Sequence, residues 1–367
     1  KKVLEEGLPG LPDAGHPASE FTDDEFPVGF ASLASHGEDT LQRTEEDAKI
    51  AAVKLEYNSN ASRRDNGGGK TKEELSGQVP KCAACGKGGD GIKMCTSCKL
   101  VKYCNATCQK AHWREHKREC KKRAAELHDE ALFKQPPPRA DCDICCLTLP
   151  LKKSDRRYQA CCGKSLCNGC FHAVNAADDR HLCPFCRTPA ATSNEELIKM
   201  LKKRVESGDA NGMHLLGMKY YFGWMDLPQD YEKAMELWFS AAQLGHIMSY
   251  SNVADCYFNG RGVERDLKKA NYYGELAAMG GNVKSRFNLG VCEHHAGNMS
   301  RAVKHYMISA GAGHDGSLNA IRECFMHGDA TKDDFEKALR AHKEAKDEEK
   351  SDQREGAAAV QAQTSYH

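Results

Sequence analysis

The hydrophobic pattern changes character along the 367-residue chain. From Ser193 onward, Ala, Gly, Leu and Tyr recur at three- and four-residue spacing, the period of amphipathic helices. Residues 82–120 and 142–186 are instead two Cys-dense stretches. Residues 1–80 are rich in Gly, Pro, Ser, Asp and Glu and poor in aromatics. Such a composition cannot bury enough apolar surface to offset its ordering entropy. The expectation there is a disordered acidic region, apart from a helical turn or two around Glu45–Tyr57, where Ile50, Val53 and Tyr57 recur. The fold class expected is therefore multi-domain: a disordered N-terminus, two small Cys-rich modules and an all-α helical repeat solenoid. No run of about 18 apolar residues is present to span a membrane. Lys1-Lys2-Val3-Leu4-Glu5-Glu6-Gly7 lacks the apolar stretch of a secretory signal. The expected setting is the cytoplasm or nucleus, with no secretion and no membrane partner.

The helical region is periodic. Ala234, Ala270, Ala302 and Ala338 stand 36, 32 and 36 residues apart, and Gly245, Gly281 and Gly313 follow the first three at a helix-stop distance. Asp230-Tyr231-Glu232-Lys233-Ala234 recurs as Asp266-Leu267-Lys268-Lys269-Ala270 and Asp334-Phe335-Glu336-Lys337-Ala338. Upstream, Leu216-Gly217-x2-Tyr220-x2-Gly223 recurs as Val253-Ala254-x2-Tyr257-x2-Gly260 and Ile321-Arg322-x2-Phe325-x2-Gly328. The copy beginning at Leu289-Gly290 has a shortened loop. Each unit reads as two amphipathic helices with small residues where they cross, and units of this kind must stack to bury their faces. The pattern resembles the Sel-one-like repeat, a relative of the tetratricopeptide repeat, in four copies over 209–347. Residues 193–208 read as a capping helix, Glu195–Glu206, with Ser193 or Asn194 as N-cap. Trp224, Trp238 and the Tyr pairs read as packing, and Cys256, Cys292 and Cys324 as small hydrophobes. The charge run Glu344–Gln353 is expected to carry the last helix into solvent, with 348–367 a flexible tail.

Nineteen Cys change the picture of the middle of the chain: sixteen fall in 82–186 and none in 1–81. Paired Cys-x2-Cys spacings with interspersed His point to metal before disulfides. The first set is Cys82-x2-Cys85, Cys95-x2-Cys98, Cys104-x3-Cys108 and His116-x3-Cys120. These eight ligands close two tetrahedral zinc sites with no position left for water. Cys104/Cys108 and His116/Cys120 are each four apart, which suits one face of a short helix. His112, also four residues from a ligand, competes with His116. Tyr103-Cys104, Cys108-Gln109-Lys110, His112-Trp113 and His116-Lys117-x2-Cys120 make the stretch 82–120 resemble the MYND zinc finger. The resemblance implies interleaved ligation, with Cys82, Cys85, Cys104 and Cys108 on one zinc and Cys95, Cys98, His116 and Cys120 on the other. It also implies that Gln109 and Trp113 line a groove for Pro-rich peptides. Residues 121–141 read as a helix, Lys121–Phe133, and a stiff linker through Pro136-Pro137-Pro138.

The second set is Cys142-x2-Cys145, Cys161-Cys162, Cys167-x2-Cys170 and Cys183-x2-Cys186. Over 142–187 it resembles a RING finger of the all-cysteine kind. That resemblance implies Cys142, Cys145, Cys167 and Cys170 on one zinc and Cys161, Cys162, Cys183 and Cys186 on the other. Lys164 stands where the family usually has a His ligand. A protonated lysine cannot ligate zinc, so Cys161 is the best substitute, with Cys146, His172 and His181 the other candidates. In RING ubiquitin ligases, residues at the positions of Ile144 and Pro184 dock the conjugating enzyme. A basic residue at the position of Arg187 holds the ubiquitin thioester.

Charge narrows the partners. Lys+Arg and Asp+Glu are both 52, but 1–80 holds 9 basic and 16 acidic residues and 81–139 holds 14 and 6. A basic face on a small module is usually solvated, so nucleic acid is disfavoured as a partner. No catalytic nucleophile is evident. Histone methyltransferases that carry MYND modules are disfavoured because no second catalytic domain fits in the rest of the chain. The sequence therefore reads as an adaptor or scaffold that binds four Zn2+ and mediates protein–protein interactions. The alternative is a RING-type ubiquitin ligase whose MYND module and repeats recruit substrate and whose RING-like module engages a ubiquitin-conjugating enzyme.

Overall fold

Among the described residues, the first element is a hairpin, β1 (Lys93–Met94) paired antiparallel with β2 (Lys102–Tyr103). The computed structural model describes residues 80–89, 91–177 and 181–364. The disorder expected over 1–80 and the turn around Glu45–Tyr57 lie outside the described residues, Pro80 excepted. Cys104 then leads into Asn105, whose side chain accepts from Cys108 N at 2.9 Å and starts helix α1 (Ala106–Leu132). The sequence reading divides this stretch into a short ligand-bearing helix and a second helix from Lys121. One continuous 27-residue helix is found, because no Gly or Pro interrupts 106–132, and Cys104 lies before its cap.

The second Cys-rich module is built on a hairpin, β3 (Arg156–Gln159) and β4 (Lys164–Cys167), with Gln159 opposite Lys164. Gly163 turns between them at φ +78°. Helix α2 (Asn168–Ala177) follows directly.

Helix α3 (Asn194–Glu206), capped by the Ser193 side chain, opens the solenoid. Four helix pairs come next: α4 (Ala210–Phe222) with α5 (Tyr231–Gln243), α6 (Ile247–Asn259) with α7 (Leu267–Met279), α8 (Val283–His295) with α9 (Met299–Gly311), and α10 (Asp315–His327) with α11 (Lys332–Glu348). Asp230 and Asp266, the recurrent acids of the sequence pattern, cap α5 and α7 with their side chains. The predicted small crossing residues are sterically required at two places. A Cβ on Gly217 would lie 2.5 Å from Trp238 Nε1, and one on Gly290 2.5 Å from Tyr306 Cε1. Trp238 is buried and donates to His214 O at 3.1 Å, so it serves packing, as does Trp224 stacked on Phe222. Cys256 and Cys324 are buried and Cys292 is half-buried. Among the described residues, no helix is long and apolar enough to cross a membrane.

Two parts of the chain depart from expectation. The charge run does not extend one helix into solvent: α11 ends at Glu348. Ser351 Oγ accepts from Arg354 N at 3.3 Å, starting α12 (Asp352–Thr364), which packs on α2. A capping serine and the Ala-rich face after it account for this return. Residues 121–141 are also more than a linker, because the end of α1 is docked on the repeats. His128 Nε2 meets Glu275 at 2.9 Å, Arg301 reaches Asp129 at 2.6 Å, and Phe133 lies 4.7 Å from the His305 ring. Arg286, 1% exposed, donates to Leu132 O at 2.5 Å and Ala278 O at 2.7 Å, so one buried cation satisfies the carbonyl ends of two helices. The second module is docked too. Ala160 joins the core of Ile198, Leu201 and Leu216, and Tyr158 donates to Asp209 Oδ2 at 2.9 Å. Asp209 also pairs with Arg204 and caps α4 through its other oxygen.

Candidate metal centres

Four of the five Cys-x2-Cys pairs fold into the same small turn, whereas Cys167 ends β4 and Cys170 lies in the first turn of α2. The residue after the second Cys takes a left-handed conformation, Gly86 (φ +70°), Lys99 (+55°), Cys146 (+57°) and Arg187 (+60°). Its N–H returns to the carbonyl of the first Cys at 2.9 to 3.0 Å. This turn aims both sulfurs to one side. It also explains Cys146: as the left-handed residue it is exposed and stands outside the sulfur cluster.

The structure brings sixteen side chains into four groups of four, with the ligand atoms of each group within 4.8 Å of one another. Cys82, Cys85, Cys104 and Cys108 form the first, and Cys95, Cys98, His116 and Cys120 the second. Cys142, Cys145, Cys167 and Cys170 form the third, and Cys161, Cys162, Cys183 and Cys186 the fourth. A tetrahedron of Zn–S bonds of about 2.3 Å places its sulfurs about 3.8 Å apart. The observed separations match: Cys85–Cys104 3.7 Å, Cys95–Cys120 3.8 Å, Cys145–Cys167 3.9 Å and Cys162–Cys183 3.8 Å. His116 Nε2 is 3.3 Å from Cys98 Sγ. The thiols titrate against one another. Hydrogen bonds from the knuckle N–H of Cys85 pull Cys82 down to about 6, while the bond with Cys104 pushes Cys108 up to about 12. Four such groups ionise together only around a cation. Their chemistry and spacing fit zinc, and each set is closed.

The competing histidines have other places. His112 is bonded to Tyr103 OH at 2.9 Å and stacks 5.8 Å from His116, orienting that ring. Lys164 reaches Asp143 at 3.3 Å, and Cys161 lies 3.4 Å from Cys186 Sγ. His172 and His181 are outside the four groups. Gln109 Nε2 is 3.8 Å from Cys95 Sγ, so this side chain touches the sulfur as well as the surface. Trp113 is 41% exposed and edge-on to His116 at 6.4 Å, which excludes a core role. Ile144 is 40% exposed, Arg187 exposed and Pro184 half-buried. Sequence reasoning missed Gln353 and Arg354, which approach the third group from α12; nothing in the local pattern points to them.

Residues 82–120 match the family model of the MYND finger, and 210–246 and 247–282 each match that of the Sel1 repeat. The chain carries a MYND finger and Sel1 repeats. It is 32% identical over 112 residues to the ERAD-associated E3 ubiquitin-protein ligase component HRD3B of Arabidopsis thaliana, covering 30% of this chain and 17% of the relative. It is 48% identical over 40 residues to the histone-lysine N-methyltransferase SMYD3 of Homo sapiens, covering 11% of this chain and 9% of the relative. The chain thus spans less than a fifth of the length of these curated relatives. Among solved structures, a Sel1 repeat protein from Oxalobacter formigenes is 24% identical with a TM-score of 0.37, over 42% of this chain and 64% of that one.

Proposed function

We propose that the protein is a zinc-dependent adaptor that holds protein partners together, with the MYND finger taking Pro-rich segments and the repeats presenting a second binding surface. The carrying observation is the surface around the second zinc group. Met94, Leu100 and Trp113, 49%, 51% and 41% exposed, stand beside Cys95, Cys98 and His116, so a closed metal site has exposed apolar side chains beside its ligands. An aromatic wall on a rigid support suits a preformed polyproline strand. The reading places the chain in the cytoplasm or nucleus, where thiols stay reduced. The test is binding of a Pro-rich peptide to the full zinc-loaded chain. Trp113→Ala should lower affinity at least tenfold with four zinc ions retained. A variant that keeps its zinc and binds as tightly as wild type removes this surface as the docking site.

A second reading, a RING-type ubiquitin ligase, is favoured by one feature. Ile144 and Leu147, 40% and 36% exposed, stand on either side of Cys145 near the edge of the RING-like module, as a docking anchor would. The HRD3B relative is by name a component of a ubiquitin ligase. Autoubiquitination across a panel of conjugating enzymes separates the readings. Chain formation by wild type that Ile144→Ala abolishes and Arg187→Ala slows would make the protein a ligase; no transfer by wild type leaves it an adaptor.

A further inference from the structure

The third metal group differs from the second in charge. Four thiolates around a divalent zinc leave two net negative charges, one more than a set containing His. Such a cluster is stabilised by N–H donors and cations outside the ligand set. Local backbone supplies two, with Cys167 N 3.3 Å from Cys142 Sγ and Cys170 N 3.5 Å from Cys167 Sγ. Further donors come from some 200 residues along the chain. Arg354 Nη2 lies 3.8 Å from Cys145 Sγ and 3.3 Å from Leu147 O, while Nη1 donates to Glu349 O at 2.9 Å. The Gln353 amide is 3.7 Å from Cys170 Sγ, and a half-turn of that amide presents its NH2 to the sulfur.

Shape seats the same helix. A Cβ on Gly169 would come within 2.8 Å of Arg354 N and of the Gln353 carbonyl carbon, both backbone atoms that cannot give way. Ala357 is 4% exposed. Ahead of the helix, Glu349 accepts from Leu151 N at 3.0 Å and pairs with Arg139. Arg354 Nε is buried without a hydrogen-bond partner, so the compensation for taking the guanidinium out of water falls on Nη1 at Glu349 O and on Nη2 beside the Cys145 sulfur.

We propose that this face of the second module is a helix-docking surface read through the charge of its metal cluster, and that α12 occupies it in cis with Arg354 as the counter-ion outside the ligand set. The inference rests on the zinc assignment above. Zinc and helix then stabilise one another by the same coupling free energy in either direction. The helix borders Leu147, so its release would also open the edge that carries Ile144.

The test uses the full zinc-loaded chain and two readouts: hydrogen exchange of 352–360 and the rate at which each zinc passes to a chelator. Gly169→Ala should unseat the helix by sterics, and Ala357→Asp should do so away from the ligands. In both, one zinc of the four should leave ten- to a hundredfold faster. Arg354→Ala should reproduce that change and Arg354→Lys should recover part of it. Release of the helix with all four zinc ions leaving at wild-type rates would reduce the contact to packing. A wild-type helix that stays protected after the third cluster alone is stripped of metal would overturn the dependence on charge. Fewer than four zinc ions in wild type, with that cluster empty and the helix seated, would sink both this inference and the metal assignment beneath it.

Discussion

The two zinc modules use the same turns and nearly the same donors, yet they sit in the molecule differently. The first keeps its outer face open, with Met94, Leu100 and Trp113 at the surface, and communicates with the rest of the chain through the far end of α1. The second is held from two sides, by Ala160 and Tyr158 against the start of the solenoid and by α12 against α2. A metal-closed module needs no apolar core of its own, so its surface is free either to bind partners or to be built into a larger body. The first is placed for the former and the second for the latter.

The largest expected effect tests this contrast at the ligands. Each structural zinc contributes on the order of 10 kcal/mol of folding free energy in finger peptides. Cys98→Ser should therefore release a zinc and unfold 82–120 while the repeats keep their exchange protection. Cys183→Ser should also loosen α3 and α4. Equal, purely local losses in the two variants would break the comparison. In the same series, Cys161→Ser should cost a zinc and Cys146→Ser none; the reverse would move the ligand to Cys146.

A smaller effect belongs to the anchorage of α1. Arg286→Met should cost about 3 kcal/mol, because it strands the carbonyls of Leu132 and Ala278. Thermal or denaturant unfolding measures it, and a loss under 1 kcal/mol would mean the helix end is held by its other contacts. Tyr158→Phe should cost about 1 kcal/mol, the worth of one hydrogen bond to Asp209. Its loss should appear as faster exchange in 156–167 with zinc content unchanged.

A pH signature belongs to the α1 anchorage, where His305 packs against Phe133. Burial, with Arg286 and Arg301 nearby, lowers the His305 imidazole to about 3. The unfolded chain takes up that proton near 6.5. This group's contribution is therefore whole above 6.5 and drains away as pH falls from 6.5 towards 3. Its ring resonances by NMR should not titrate between pH 8 and 5; a midpoint near 6.5 would show that the joint is open.

Much of the metal chemistry was legible beforehand, and for a local reason. Zinc accepts few donor types, a Cys-x2-Cys turn is closed by its own backbone, and so ligand identity is written in short spacings. Lys164 marked the irregular set, and the tightness of the Cys161–Cys186 approach agrees with the substitute it implied. The repeat caps were legible likewise, since Asp230 and Asp266 bond to N–H groups two or three residues away. The length of α1 is not set by the ligand spacing, which concerns its first turns only; it follows from the absence of Gly and Pro over 106–132 and from the docking of its far end on the repeats.

Local pattern in the sequence was enough for the ligand pairs, the helix pairs and their caps, because each depends on partners within a turn or one repeat. Which pairs share a zinc was implied only by the resemblances to the MYND and RING fingers, and the four groups agree with it. The tertiary structure alone decided where α1 ends up, what covers the second module and what α12 does. Arg286 meets Leu132 across 154 residues and Arg354 meets Cys145 across 209. At such separations no periodicity links the partners. A buried cation and the carbonyls or thiolates that satisfy it are matched only once the solenoid has set the distance between its ends.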